Sequence, residues 1–420
     1  HVVFNDIVGR RLFRFMVALW RVTQRLVLLR SANMHIDAGQ WSGHGPLKMT
    51  IAYDTRWQKA RGWNSLHGTS FGVDCMTGMP VFVCCMHRSR PTESKPSSEA
   101  ESSLAHDEQP QGSEQSMADV AWAMGAWERE VVELSAKALD AEGARRLVKE
   151  LTSFDVDLVT LVKDGDATSR QKAEQLKEEL LMHMDPCKRV DFSNGINELL
   201  CCRHYGKNTI KRVMAEWKRH WKTPKTKTCA YLRGTINRIT AKHRGNVMDI
   251  RTNLDATIPH LGGEHANCAH DLPCKLDVDH KQTLLVTEQE VLDMLRNVVA
   301  HRYSEDKLRM LQWNVTTNVN ESLNFDLIAL FPKRLYSKNG ARHDNYSMLV
   351  PLRRIYGRRA DAIILMLMGF GDTEQFMDAC EQLDTEQLNN RLHRRAAKKR
   401  RKQIRKMRSG WDKKKGKADR

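Results

Sequence analysis

Apolar and polar positions change period several times along this chain, and each change predicts an element. Residues 1–30 are apolar with arginines at Arg10, Arg14, Arg21 and Arg25, which reads as one amphipathic helix or as an apolar strand and a helix. From Lys48 to Tyr53 polar and apolar residues alternate, predicting a strand that ends at Asp54. Ser65 to Val73 predicts a second strand, Asp74 to Gly78 its turn, and Met79 to Met86 a third; such close spacing implies an antiparallel meander. Residues 88–118, rich in Ser, Glu, Gln and Pro, read as a loop or disordered insert. A helical period follows at Val120, Met124, Trp127, Val131, Leu134 and Leu139. Asp157 to Val162 predicts a further strand running into Lys163-Asp164-Gly165-Asp166, where Gly165 permits a sharp exit. Helices are predicted over 168–183, most of 191–309, 315–330 (stopped by Pro332) and 345–370.

Three antiparallel strands, a crossover helix and another strand reproduce the start of a ribonuclease-H-like sheet. The predicted fold is therefore an α/β, ribonuclease-H-like mixed sheet with a large helical insertion and a basic helical or disordered tail. The corresponding divisions are an N-terminal helical segment (1–45), the first part of the core (46–190), the insertion (191–309), the last part of the core (310–375) and the tail (376–420). No internal repeat is visible.

Composition adds one feature. The formal net charge is +17, and roughly sixteen Lys and Arg against two acids lie between Arg391 and Arg420, so the body is close to neutral. Such a tail suggests a polyanionic partner or a nuclear address. Ten cysteines at irregular spacing do not form a secreted disulfide framework, which favours a reducing compartment. No apolar run reaches membrane-spanning length, since Arg21 and Arg25 break the stretch from Phe15 to Leu29. The N-terminal arginines also fit an organellar presequence, although a buried or DNA-facing helix is the plainer reading. The chain begins at His1 rather than Met, so the expectation is that the true N-terminus lies upstream.

The candidate chemistry is carried by separated acids. Asp54 and Asp164 follow predicted strands, and Glu321 sits in a predicted helix. Carboxylates gathered this way suit two Mg²⁺ or Mn²⁺ ions, which activate an attacking oxygen and stabilise a leaving one in phosphodiester chemistry. Asp166 is a backup for the second acid. Taken singly, each is as well explained as a solvated turn residue; the case rests on their order and flanks. A second cluster, His265, Cys268, His270 and Cys274, mixes imidazole and thiol at turn spacing that suits structural zinc. Four ligands within ten residues are tight, so Cys229 or His280 is a completing candidate, and a polar loop with free thiols is the alternative. Lys211, Arg212, Lys218, Arg219 and Lys222, interleaved with Trp217 and Trp221, form a candidate DNA-backbone face or else a solvated helix face with the tryptophans in the core. Lys398, Lys399, Arg400 and Arg401 read as a nuclear-localisation or nonspecific DNA patch. No GxxxxGK[ST] loop occurs, so nucleotide triphosphate use is not expected, and neither a calcium loop nor a GxSxG elbow is present.

The flanks of the acids point to a family. Ala52-Tyr53-Asp54-Thr55-Arg56-Trp57-Gln58-Lys59-Ala60-Arg61-Gly62, then Ser65-Leu66-His67-Gly68, resembles the first catalytic block of Mutator-like transposases. Asp164-Gly165-Asp166 resembles the second block, and Asn318-Val319-Asn320-Glu321-Ser322-Leu323-Asn324 with Phe331-Pro332-Lys333 the third. Cys201-Cys202-Arg203-His204 resembles a Cys-x2-His element that follows the second acid, which would put His204 near the site; an ordinary surface histidine is the other reading. The resemblance covers roughly residues 46–335. It implies that Asp54, Asp164 and Glu321 are the catalytic triad and that Lys59, Arg61, His204 and Lys333 lie along DNA. It further implies a nuclear DDE-type transposase acting on transposon ends and target DNA, as a homo-oligomer. The inserted Ala60 and the irregular cysteines after Cys85 depart from the family pattern. They leave an alternative, a catalytically decayed or domesticated nucleic-acid-binding protein; a generic helical interaction protein is a third reading.

Overall fold

The computed structural model describes residues 2–57, 67–88, 131–132, 138–164, 167–268, 286–331, 341–370 and 373–418. The predicted insert at 88–118 lies almost wholly outside them. The chain divides into two units, one within Gln24–Lys95 and Arg129–Lys338, the other within His1–Thr23, Pro96–Glu128 and Asn339–Arg420. The first unit holds a mixed sheet of β1 (Leu47–Trp57), β2 (His67–Asp74), β3 (Pro80–Arg88), β4 (Val131–Val132), β5 (Val156–Lys163) and β6 (Asn197–Leu200), in the order β4-β3-β2-β1-β5-β6. The β1–β2 and β2–β3 pairs are antiparallel, as the meander predicts. β5 pairs parallel with β1, β6 with β5, and β4 with β3.

α1 (Val2–Asp37) is one continuous helix, which settles the choice between a single helix and a strand followed by a helix. Among the described residues no helix is long and apolar enough to cross a membrane. In α2 (Ala138–Thr152), Leu139, Gly143, Ala144, Leu147, Val148 and Leu151 are buried, a stripe at 3–4-residue spacing on a helix that packs on β1, β2, β3 and β5. α3 (Ala167–Met182) packs on α2 and is followed by the single turn α4 (Pro186–Arg189). α5 (Cys202–Glu216), α6 (Lys225–Lys242), α7 (Val247–Leu261), α8 (Gln289–Arg302) and α9 (Glu305–Leu311) then enclose a second apolar core around Leu232, Leu254, Leu295 and Tyr303. α10 (Asn318–Leu330) returns to pack on β1 and β2.

In the other unit, α11 (Ala341–Tyr356) and α12 (Arg359–Leu367) are separated at Gly357, whose φ of 64° supplies the left-handed turn. The tail is α13 (Glu374–Ala418), a helix rather than a disordered segment over those residues.

Three sequence expectations change. The first strand does not end at Asp54 but continues to Trp57, because β1 and β2 stay paired from Asp54↔Phe71 to Trp57↔Gly68. Val131, placed in a helical period, lies in β4, where two β-branched residues extend the sheet edge beside His87 and Arg88. β6 falls in a segment read as helical; four residues are too short to show a period, and pairing with Thr160–Lys163 fixes them as strand.

Candidate active site

Alternation along β1 assigns its two faces. Tyr53 and Thr55 point to α2: the Tyr53 hydroxyl donates to the Asp140 carbonyl at 2.7 Å and the Thr55 hydroxyl to the Asp140 carboxylate at 2.5 Å. Asp54 points the other way, to α10, where Asn324 Nδ2 donates to its Oδ2 at 2.7 Å. The last parallel pair between β1 and β5 is Ala52↔Val162. Two residues on, Asp54 and Asp164 follow on the same face, where β1 has lost its neighbour on that side while still pairing with β2. The gap left beside β1 where β5 stops at Lys163 thus lies just past the last parallel pair, and Asp54, inside β1, and Asp164, one residue after β5, flank it.

Glu321 enters in the first turn of α10. The helix is anchored by the residue before it: Asn320 is fully buried, and its Nδ2 donates to the Ala52 carbonyl at 3.1 Å and to the Phe71 carbonyl at 2.9 Å. Asn320→Ala is expected to cost about 1–3 kcal/mol of stability, since two buried carbonyls lose their donor. It should also loosen the placement of Glu321. Urea denaturation checks the first effect, and a cost below about 0.5 kcal/mol would show that Asn320 is not the anchor.

The Cys-x2-His element completes the arrangement. Cys201 N–H donates to the Lys163 carbonyl at 2.7 Å, which ties the residue after β6 to the end of β5. Thr317 N–H donates to Cys201 Sγ at 3.3 Å, and Thr317 Oγ1 lies 3.3 Å from His204 Nδ1. His204 Nε2 is then 2.9 Å from Glu321 Oε1. His204 therefore stands between a cysteine beside β5 and the acid on α10, rather than being an isolated surface histidine.

The electrostatics show how close these groups are. Burial, then the charges of Asp164 and Asp140, push the Asp54 carboxyl up to about 7, while His204 pulls it down. His204 is raised, led by its hydrogen bond with Cys201; burial opposes this, and the charges of Cys201, Glu321 and Asp164 add to it. Burial works to raise the Cys201 thiol, but hydrogen bonds with His204 and Thr317 outweigh it and bring the thiol down to about 7. Arg56 lies two residues beyond Asp54 on the same face and is buried. Its Nη2 donates to the Phe331 carbonyl at 3.3 Å, its Nε and Nη1 have no hydrogen-bond partner among the described residues, and burial lowers it to about 10. The sequence marked Arg56 only as a flank; its burial is invisible without the fold.

The donor set is three carboxylates, which suits hard divalent cations. Their oxygens do not all fall within 4.8 Å of one another, because Asp54 faces Asn324 and Glu321 faces His204. Two ions about 3.5–4 Å apart do not require that all three do, since different acids can serve different ions. Asp166, Lys59, Arg61 and Lys333 lie outside the described residues. Lys211, Arg212, Lys218, Arg219 and Lys222 are exposed, but Arg212 pairs with Glu216 at 2.5 Å and Lys218 lies 3.6 Å from Glu290. Trp217 and Trp221 pack on the helical core. Lys398, Arg400 and Arg401 are exposed on α13; the helix backbone continues through Lys399, whose side chain lies outside the described residues.

The zinc reading changes in membership. His265 and Cys268 do come together, but with His260, which the sequence reading missed. His270, Cys274 and His280 lie outside the described residues. Cys229 is not part of the group; it is buried in the helical core. The signal for His260 was a histidine in the last turn of a helix, followed closely by the Gly-Glu-His turn.

Comparison with curated proteins and with solved structures gave no match at the significance required. A family model described as Mutator-like transposase matches residues 28–274. That span is more than half of the 420-residue chain and contains Asp54, Asp164 and the Cys-x2-His element, so the chain belongs to the Mutator-like transposase family.

Proposed function

We propose that this chain is a DDE-type transposase that cleaves transposon ends and transfers them to target DNA, with Asp54, Asp164 and Glu321 as its catalytic carboxylates. The observation that carries this reading is that Asp54 and Asp164 follow the last β1–β5 pair on one face, close enough for Asp164 to raise the Asp54 carboxyl, while His204, which also feels Asp164, meets Glu321 at 2.9 Å. The strand order β3-β2-β1-β5-β6, with its antiparallel meander and parallel second half, supports a ribonuclease-H-like core.

In this reading each residue has a physical task. Asp54 presents its carboxylate from within β1 and Asp164 from the residue that directly follows β5, so both are placed by the adjacent pair of strands. Asn324 orients Asp54, and Asn320 locks the helix that delivers Glu321. His204 holds Glu321 and supplies a proton donor or acceptor beside the reacting phosphate. Arg56 offers a buried cation on the Asp54 face, with N–H groups that have no partner among the described residues, suited to a phosphate oxygen. When bound, Mg²⁺ or Mn²⁺ supplies activation of the attacking oxygen and neutralisation of the leaving one. The exposed cations of α5 and its following loop, and the basic α13, provide sequence-independent affinity for the DNA backbone and a nuclear address. Action at two transposon ends makes a homo-oligomer the working form.

The test uses the full chain, an end-labelled donor fragment bearing the terminal sequences that flank the coding region, and a supercoiled plasmid target. Cleavage and joined product are expected with Mg²⁺ or Mn²⁺ and not with EDTA. Tight DNA binding without cleavage under either metal would instead identify a non-catalytic derivative.

A further inference from the structure

We infer that His260, His265 and Cys268 bind a structural zinc ion that fastens the turn after α7 to the end of that helix. His260 Nδ1 lies 3.2 Å from Cys268 Sγ and 3.1 Å from His265 Nδ1, and the remaining side, Cys268 Sγ to His265 Nδ1, is 3.9 Å. Zinc bonds of about 2.0–2.1 Å to nitrogen and about 2.3 Å to sulfur place tetrahedral donors roughly 3.3–3.6 Å apart. The triangle brackets those values. Hydrogen bonding alone serves it poorly: His260 Nδ1 offers one proton or one lone pair, yet it faces two neighbours at nearly equal range. A central cation serves all three atoms at once.

The local fold builds the site. Gly262 caps α7, and Gly263, with φ of 93°, turns the chain back so that Glu264 N–H reaches the carbonyl of Pro259, inside the last turn, at 3.0 Å. The next turn, closed by Cys268 N–H to the His265 carbonyl at 3.2 Å, sets both side chains over the last turn of the helix, where His260 waits. His260 and Cys268 are buried, and the His260 ring is stacked against Tyr231 of α6, with centroids 6.2 Å apart and planes 9° apart. This supports the imidazole from behind, as outer contacts commonly do at metal sites. Where the described chain resumes, Val286 N–H donates to the Leu261 carbonyl at 2.8 Å. Cys268 and Val286 are thus both held at the end of α7, one by the ligand set and the other by backbone. Two imidazoles and a thiolate select zinc over magnesium or calcium, so this site is chemically distinct from the three carboxylates.

The full chain, purified without chelator, should carry about one zinc ion that survives gel filtration. Exchange for cobalt(II) should give intense visible bands of tetrahedral type and a near-ultraviolet thiolate charge-transfer band. Cys268→Ser should abolish the charge-transfer band, and His260→Ala should bring the zinc content close to zero. Should the variants prove insoluble, the parent cobalt spectrum still decides, since an octahedral spectrum without a thiolate band overturns the site. Unchanged zinc content in both soluble variants would also overturn it. The readout is metal content and a sulfur-specific band, so it succeeds or fails separately from DNA cleavage.

Discussion

Asp54→Asn and Glu321→Gln are each expected to lower DNA strand cleavage by about 10³-fold or more while leaving DNA binding within about twofold. Three decades correspond to about 4 kcal/mol of transition-state stabilisation. The size follows from the proposed role: Asp54 is held within β1 and Glu321 in the first turn of α10, so in that reading each loses a ligand position fixed by a regular element. The substitutions keep shape and hydrogen bonding. An amide at position 54 can still accept from Asn324, and one at position 321 can still meet His204, so folding should be preserved. Combining them should add little further loss, because groups that act as a unit are strongly non-additive. Single-turnover cleavage of labelled donor DNA, with binding followed by fluorescence anisotropy, separates the two effects. Cleavage by both variants at the parent rate would show that the triad is wrongly assigned.

Lys177→Ala should destabilise the sheet-bearing unit by about 3–5 kcal/mol, the range seen when one partner of a buried ion pair is removed. Lys177 on α3 is 2 % exposed and Asp157 on β5 is fully buried, with 2.6 Å between Nζ and Oδ1. The ammonium also donates to the Leu158 carbonyl, Ser193 Oγ and the Gly195 carbonyl, each at 3.0 Å, and Ser193 N–H donates to Asp157 Oδ2 at 2.8 Å. One cation therefore joins α3, the start of β5 and the loop that leads into β6. Removing it leaves an unpaired carboxylate on the strand that ends at Lys163, next to Asp164. The double variant Lys177→Met with Asp157→Leu should recover most of the loss, because it removes both charges and keeps apolar volume. Urea denaturation of the two variants measures the difference; a single-variant loss below about 1 kcal/mol would rule out this pair as the fastening.

The first strand was readable because polar and apolar residues alternate along it, and the next two because short apolar runs are separated by a turn. The run from Lys48 to Tyr53 alternates, and so it folds as a strand with Asp54 on a defined face. Of the helical period read from Val120 to Leu139, only Leu139 falls in a described helix, where it opens the buried stripe of α2. Short or edge elements were not readable. Asn197 to Leu200 is strand only because β5 offers it a partner, and Val131 is strand only because β3 does. Among site residues, the three acids stood out through their flanking blocks. Arg56 and His260 did not, since what distinguishes them is burial beside partners that are distant in sequence or reached through a turn.

By itself the sequence determined the family-bearing motifs, the meander, the helical insertion and the basic tail, because periodicity and residue chemistry are local properties of the chain. Only the tertiary structure decided that Asp54 lies inside a strand rather than at its end, that His204 faces Glu321 across the gap, and that His260 joins His265 and Cys268. Those relations depend on strand register, on the angle of α10 across β1 and β2, and on the turn after α7. Each is fixed by contacts between segments that no local pattern encodes.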